Sequence, residues 1–317
     1  MDLGIVIVSF NVRELLAACL NSVVASLALS QLDARIIVLD NASADGSAAM
    51  VREQFPGVQL IASQRNLGFA AANNVGMCDL IPNSESRISK FQVPRHVLLL
   101  NPDTEVWGEA LAVLVRFLDE HPDVGAVGAR LLYPDGRLQH GAFHFPGVVQ
   151  TFFDFFPTHR WLTDSWLNGR YSQAAYANGP FPIDHPLGAC LMVRAEAIRQ
   201  IGLMDEQFFM YCEEIDWCLR LKRAGWQIYC VPQAEVVHHV ARSTRQFREA
   251  MFVALWRSRL RLYAKHSSPA RQWAIRQVIR LGVEREIRRA STDDRLSPAE
   301  RDARLKSYHE VLTMLRC

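Results

Sequence analysis

Near its N-terminus this chain alternates short β-branched apolar runs with stretches whose apolar residues recur at helical spacing, and no other feature restricts its fold so strongly. Gly4-Ile-Val-Ile-Val-Ser9 is one such run and reads as a buried strand. Over Glu14–Leu27, residues Leu15, Leu16, Cys19, Leu20, Val23, Val24 and Leu27 keep a helical period, and Arg35–Leu39 is a second strand ending at Asp40. Strand, helix and strand in that order predict a β-α-β unit and hence a parallel sheet. The pattern continues with a helix over Ser47–Phe55, a strand over Gln59–Ile61, a helix over Phe69–Cys78 and a fourth buried strand at His96–Leu100. This half therefore reads as doubly wound α/β. Between its last two elements, Asp79–Arg95 is polar, carries Pro82 and Pro94, and reads as a surface loop.

Further along, a helix is expected at Glu109–Glu120 and a strand at Val124–Val127, with Asp135-Gly136 marking a hairpin turn between Arg130–Tyr133 and Arg137–Gln139. Residues 141–186 are aromatic and proline-rich with weak periodicity, and read as a long loop region over a cleft. A strand at Ala189–Arg194, a helix at Ala195–Ile201 and a helix at Glu213–Ala224, stopped by Gly225, follow. Gln227–Val231 then reads as a strand leading through a polar turn to His238. Beyond Arg242 the pattern is helical with breaks at Pro269 and Ser297-Pro298, which places the end of the core domain near 241.

With 317 residues, half of them hydrophobic and 21% charged, the chain can bury a sizeable core, which excludes a fibre or a disordered tail. No stretch approaches the ~18 uninterrupted apolar residues of a bilayer crossing, and Met1–Phe10 runs straight into a strand rather than forming a signal segment. Seven cysteines, an odd number without C-x-x-C spacing, argue against a disulfide framework and for the cytosol. The net charge of +2 hides a division: 242–317 hold 18 basic and 8 acidic residues, against 17 and 25 in 1–241. Such a basic tail suits an anionic partner. Nucleic acid is disfavoured, because no recognised binding motif accompanies the charge.

Open parallel sheets bind ligands beyond the carboxyl ends of their strands, and polar clusters lie there. Asp40 could accept a hydrogen bond from a base N–H or a ribose hydroxyl, or serve as a turn residue or cap. Asp103, closing Asn101-Pro102-Asp103, suits Mg²⁺ or Mn²⁺, hard ions that complete their shells with phosphate oxygens and water. In Glu213-Glu214-Ile215-Asp216, Glu213 and Asp216 share a helical face while Glu214 points away. Asp216 is i,i+4 from Arg220 and reads as a structural ion pair, which leaves Glu214 as the candidate general base. Acid at a helix start also favours the dipole. Of the adjacent His238 and His239, one at most points into a cleft. Asn66-Leu67-Gly68, opening a helix, could offer free backbone N–H groups to a phosphate.

In order, IVIVSFN, VLDNASADGS, RNLGFAAANNVG, LLLNPDTEV, LLYPDGRLQHGAFHFP, the stretch from GACLMVR through MYCEEIDWCLRLKRAGW, and VPQAEVVHH resemble the family 2 inverting glycosyltransferases, and within them the bacterial rhamnosyltransferase-like group. The resemblance covers about residues 3–265. It implies a GT-A-type fold over 1–241, with about 1–104 as the nucleotide-binding half, 105–241 as the acceptor and catalytic half, and 242–317 as a basic helical appendage. It places Ser9, Phe10, Asn11 and Asp40 around the nucleotide, and Asn66, Gly68 and Asn73 along the nucleotide side of the cleft. Asn101, Gly188, Glu213 and Asp216 join the substrate-binding set. Asp103 becomes the metal-binding carboxylate, with Asn101 where the family's motif opens on Asp, and His238 matches a histidine that completes the metal site in some members. Glu214 takes the base position of the family's E-D motif, one methylene longer than Asp.

The implied reaction is direct displacement at the sugar C1 with inversion, assisted by a divalent cation. dTDP-L-rhamnose is the expected donor, a UDP-hexose the alternative, and a glycan or lipid-linked hydroxyl the acceptor. For the tail, the basic and aromatic residues between Phe252 and Lys265 suit either an anionic membrane surface at the inner face of the plasma membrane or packing on the core or on a second subunit as a homodimer. Rival readings are a nucleotidyltransferase, for which IVIVSFN lacks the Gly- and Lys/Arg-rich phosphate loop, and a non-catalytic sugar-nucleotide-binding protein.

Overall fold

The computed structural model describes residues 1–81, 92–239 and 248–316. Most of the expected 79–95 loop and the boundary near 241 lie outside them. In chain order the first elements are β1 (Leu3–Ser9), α1 (Arg13–Ser30), β2 (Ala34–Asp40), α2 (Ser47–Gln54), β3 (Gln59–Ala62), α3 (Phe69–Leu80), β4 (His96–Leu100), β5 (Thr104–Val106) and α4 (Ala110–Glu120). There follow β6 (Val124–Leu132), β7 (Leu138–Gln139), β8 (Ala142–Phe143), α5 (Val148–Phe155), α6 (Arg160–Thr163), a 3₁₀ turn (Trp166–Asn168), α7 (Gln173–Ala177), β9 (Phe181–Pro182) and β10 (His185–Pro186). The chain closes with β11 (Cys190–Arg194), α8 (Ala195–Ile201), α9 (Glu213–Arg223), β12 (Gln227–His238), α10 (Arg248–His266), α11 (Pro269–Ser291) and α12 (Pro298–Met314).

Two compact units result, one of Met1–Phe143, Gln173–Phe209 and Glu213–Ser243, the other of His144–Ser172, Met210–Cys212 and Thr244–Cys317. The first is built on a mixed sheet ordered β3-β2-β1-β4-β11-β6-β12-β5. β1 to β4 run parallel, as the repeated strand-helix pattern requires, whereas β11 lies antiparallel between β4 and β6. β1 is apolar throughout because both of its faces are covered. Leu3, Ile5 and Ile7 join the core with Leu16, Leu20 and Val23 of α1, while Val6 packs closely against Gly76 of α3. α1 has the length and apolarity of a bilayer crossing, but the buried Leu16, Cys19, Leu20 and Val23 make it a core helix.

The second unit gathers around Phe155, Trp256, Tyr263, Ile275, Ile279, Val283 and Val311. Phe155 stacks on Trp256 at 4.6 Å, and the Arg259 guanidinium, ion-paired to Asp154, lies 5.2 Å over the same indole. The two breaks expected in the tail are helix starts. Ser268 accepts the Arg271 N–H with Pro269 in the first turn, and Ser297 forms a capping box with Glu300.

Two expectations are corrected. Residues 141–186 are not a long loop: they hold β8, α5, α6, the 3₁₀ turn, α7, β9 and β10, and their middle belongs to the helical unit. The elements are too short for a period to emerge, the buried residues of α5 being only Thr151 and Phe155. Nor does the strand stop at Val231. β12 continues through His238 after an irregularity between Val231 and Glu235, where the interrupted register disguises the alternation.

In the helical unit, Gly282 of α11 faces the Phe155 ring, and a Cβ there would overlap it. Gly282→Ala should destabilise this unit by about 1–3 kcal/mol despite the better helix propensity of alanine. Urea denaturation followed by tryptophan fluorescence checks it, and a neutral or stabilising change would refute the packing described.

Candidate active site

β1, β2 and β4 end at Ser9, Asp40 and Leu100, and β11, running the other way, begins at Cys190 opposite Leu100. Ser9 and Asp40 are register partners, so their side chains emerge side by side. Ser9 Oγ and Asp40 Oδ1 are both buried, with no hydrogen-bond partner among the described residues. Asp40 Oδ2 accepts the Ser43 N–H at 3.2 Å. Two orphaned oxygens of this kind are costly unless a ligand completes them. Next to them Phe10 and Asn11 are half-buried. Asn11, left-handed at φ 53°, accepts the Ala44 N–H at 2.8 Å and donates its own N–H to Ser43 Oγ, so it shapes the loop that carries Asp40.

The phosphate cradle expected at Asn66-Leu67-Gly68 is not free. The Leu67 N–H goes to Asn41 Oδ1 (2.7 Å), that of Gly68 to Asn66 Oδ1 (2.9 Å) and that of Phe69 to the Phe209 carbonyl (2.7 Å). Asn41 also donates to Asn66 Oδ1 at 2.9 Å, making it the organiser of this turn, a role its sequence position did not disclose. Gly68, at φ 82°, lies so near Phe209 that any Cβ would strike the Phe209 carbonyl. Asn73 is buried and donates to the Phe69 carbonyl. Its neighbour Asn74 bonds both the N–H and the carbonyl of Met204. The start of α3 thus braces the 204–209 segment, which ends in the half-exposed Phe209 (48%).

Asp103 Oδ1 lies 3.4 Å from His238 Nε2, both side chains being almost completely buried. β12 pairs with β5 in a register that sets His238 opposite Thr104, and this brings the two together. The other ring nitrogen, Nδ1, contacts the Gln139 amide at 3.0–3.2 Å. Gln139 comes from the Asp135-Gly136 hairpin through the β6–β7 pairing, and it fixes the imidazole with Nε2 facing the carboxylate. His239 turns away to Glu105 at 2.6 Å, so the two histidines diverge as an extended chain requires. A carboxylate oxygen facing an imidazole nitrogen could hold a divalent ion whose remaining positions are filled by ligand oxygens and water. Among the described residues no cluster of three His, Cys, Asp or Glu forms. Asn101 donates its N–H to the Ala189 carbonyl (2.9 Å), and its own carbonyl accepts the Thr104 hydroxyl (2.7 Å).

The acidic cluster divides by role. Asp216, fully buried, pairs with Arg220 Nε at 3.0 Å, and Arg220 also donates to the carbonyls of Ile201 and Leu203. It ties α9 to the end of α8, the structural role its i,i+4 spacing predicts. Glu213 is buried with Oε2 unpartnered, and burial, then the adjacent Glu214 charge, pushes its carboxyl well above the usual range. Glu214 lies against Gly188, where a Cβ would sit 3.7 Å from its Cγ. The next residue, Ala189, accepts the Asn101 N–H, and Asp103 follows two positions on. A general-base candidate and a metal-ligand candidate thus border one end of the sheet, joined through Gly188, Ala189 and Asn101.

A family model described as "Glycosyltransferase like family 2" matches residues 2–264. An N-acetylglucosaminyl-diphospho-decaprenol L-rhamnosyltransferase of Mycobacterium tuberculosis is 32% identical over 215 residues, 66% of this chain and 67% of its own. The low-salt glycan biosynthesis hexosyltransferase Agl10 of Haloferax volcanii is 25% identical over 70% of this chain and 64% of its own. Among solved structures, a mannosyltransferase of Pyrobaculum calidifontis in complex with GDP-Man and Mn²⁺ superposes with a TM-score of 0.57 at 15% identity, covering 99% of this chain and 84% of its own. GalNAc-T7 with UDP, GalNAc and Mn²⁺ gives a TM-score of 0.52 at 16% identity, over 76% of this chain and 44% of its own.

Because the Glu213 carboxyl titrates higher folded than unfolded, the native state holds the extra proton between the ordinary value near 4.5 and the raised one. Stability from this group therefore falls as pH rises through that window. Glu213→Gln removes the titration, and its denaturation midpoint should decline less than that of the parent protein as pH rises above about 5. Equal declines in urea titrations across that range would refute the assignment.

Proposed function

We propose, from the premise that the chain belongs to the glycosyltransferase-like family 2 and has the GT-A fold, that it moves L-rhamnose from dTDP-L-rhamnose to a hydroxyl of a glycan or lipid-linked acceptor in bacterial polysaccharide synthesis. The observation that carries this reading is the placement of Glu214 and the Asp103–His238 pair at one end of the sheet, linked through Gly188, Ala189 and Asn101. The M. tuberculosis relative, named for rhamnosyl transfer to a decaprenol-linked acceptor, supports the donor and acceptor classes.

In this reading residues 1–104 bind the nucleotide, 105–241 bind the acceptor and carry the base, and 242–317 form an appendage. Ser9 Oγ and Asp40 Oδ1 take up polar groups of the base or ribose, with Phe10 and Asn11 beside them. Asp103 and His238 would hold Mg²⁺ or Mn²⁺, which would neutralise charge on the diphosphate leaving group. Glu214 removes the proton of the acceptor hydroxyl as it attacks C1 from the face opposite the diphosphate. Inversion follows from that single displacement: the new C1–O bond forms as the old one breaks, and the departing oxygen carries its electron pair away with the nucleotide. Gly188 leaves space beside the base, and Gln139 keeps His238 Nε2 turned toward Asp103. A UDP-hexose donor is the second reading, favoured by the likeness to a hexosyltransferase.

Glu214→Gln should slow turnover by at least ~10²-fold while donor binding, followed by thermal stabilisation with a panel of nucleotide sugars, stays within a few-fold. EDTA should abolish turnover. Undiminished activity in the variant would remove Glu214 as the base, and stabilisation by UDP-hexoses but not by dTDP-rhamnose would replace the donor.

A further inference from the structure

The helical unit exposes more tryptophan than its own packing requires. Trp161 is 67% exposed, Trp166 72% and Trp273 66%, while Trp256 of the same unit is buried. Of the three, Trp273 stands on a long helix whose exposed side can be read as one face. α11 supplies the pattern. Ile275, Ile279 and Val283 are buried on its inner side, while Trp273, Arg280, Leu281 (57% exposed) and Arg288 fall within about 100° of arc on the outer one. From Trp273 to Arg288 this stripe runs ~22 Å.

Its charges distinguish the occupant. Arg280 and Arg288 form no ion pair among the described residues, and the acid on the stripe, Glu284, stands i+4 and i−4 from them. The surrounding segment 242–317 carries 18 basic and 8 acidic residues. An indole and a leucine interleaved with guanidinium groups, on so basic a segment, match the boundary between acyl chains and anionic headgroups.

We propose that the helical unit docks on an anionic lipid bilayer through the outer face of α11, with Trp273 as its interfacial anchor. The indole enters at headgroup depth while Arg280 and Arg288 meet lipid phosphates. The proposal is independent of the sugar-transfer reading, and its test needs neither donor nor acceptor, so either can fail alone.

The full chain is mixed with vesicles of phosphatidylcholine with or without about 30% phosphatidylglycerol, and binding is read by co-sedimentation and by the blue shift of tryptophan emission. Binding is expected to the anionic vesicles and to weaken as salt is raised. Arg280→Glu with Arg288→Glu should lower partitioning about 10-fold or more, and Trp273→Ala several-fold, with unchanged circular dichroism and unchanged thermal stabilisation by nucleotide sugar. Failure to bind anionic vesicles, or binding that the α11 variants leave intact, would overturn the proposal. So would light scattering that finds a dimer which Trp273→Ala dissociates, since that face would then be a subunit contact.

Discussion

The candidate site depends on one strand direction. β11 is inserted antiparallel between β4 and β6, so the residues just before it, Gly188 and Ala189, arrive where the carboxyl end of β4 delivers Asn101 and Asp103. In a wholly parallel sheet a strand in that place would begin at the opposite edge. Glu214, which leans on Gly188, would then lack its link to the Asp103–His238 pair. The single Asn101 N–H to Ala189 carbonyl bond sets the spacing of the two groups proposed to act on one substrate, and it is made by backbone, independent of either side chain.

The same end of the sheet concentrates buried charge, and its members balance differently. Asp216 is neutralised by Arg220, which is itself fixed by two carbonyls, so removing either partner would leave an uncompensated group in the interior. Glu213 has no such cation among the described residues, and burial, then the adjacent Glu214 charge, pushes its carboxyl well above the usual range.

Most of the first unit was legible because it rests on periodicity. The runs ending at Ser9, Asp40 and Leu100 are continuous, β-branched and bounded by polar turns, and each forms the strand expected. What stayed hidden depends on partners remote in sequence. Gln139 orients a histidine 99 residues away, Asn74 holds a backbone 130 residues away, and Asn41 reads as one more turn residue until Asn66 and Leu67 are placed beside it. The N–H groups of 67–69 looked available only because the Phe209 carbonyl and the two asparagines that engage them are not evident locally. The segment 141–186 was opaque for a different reason: its elements are too short to carry a period, and the helices that bury α5 come about a hundred residues later.

That late arrival also explains why the helical unit is assembled from separated pieces. α5 alone has two buried residues, too few to hold a helix of eight residues in water. Only when Trp256 of α10 stacks on Phe155 and Gly282 of α11 admits its ring does the segment acquire a core. The basic tail and the segment inserted between β8 and α7 thus share one core. Packing uses the inner faces of α10 and α11 and leaves the outer stripe of α11 exposed. The indole and guanidinium groups there are exposed, while the residues that build the core of the unit lie on the opposite side of the helix.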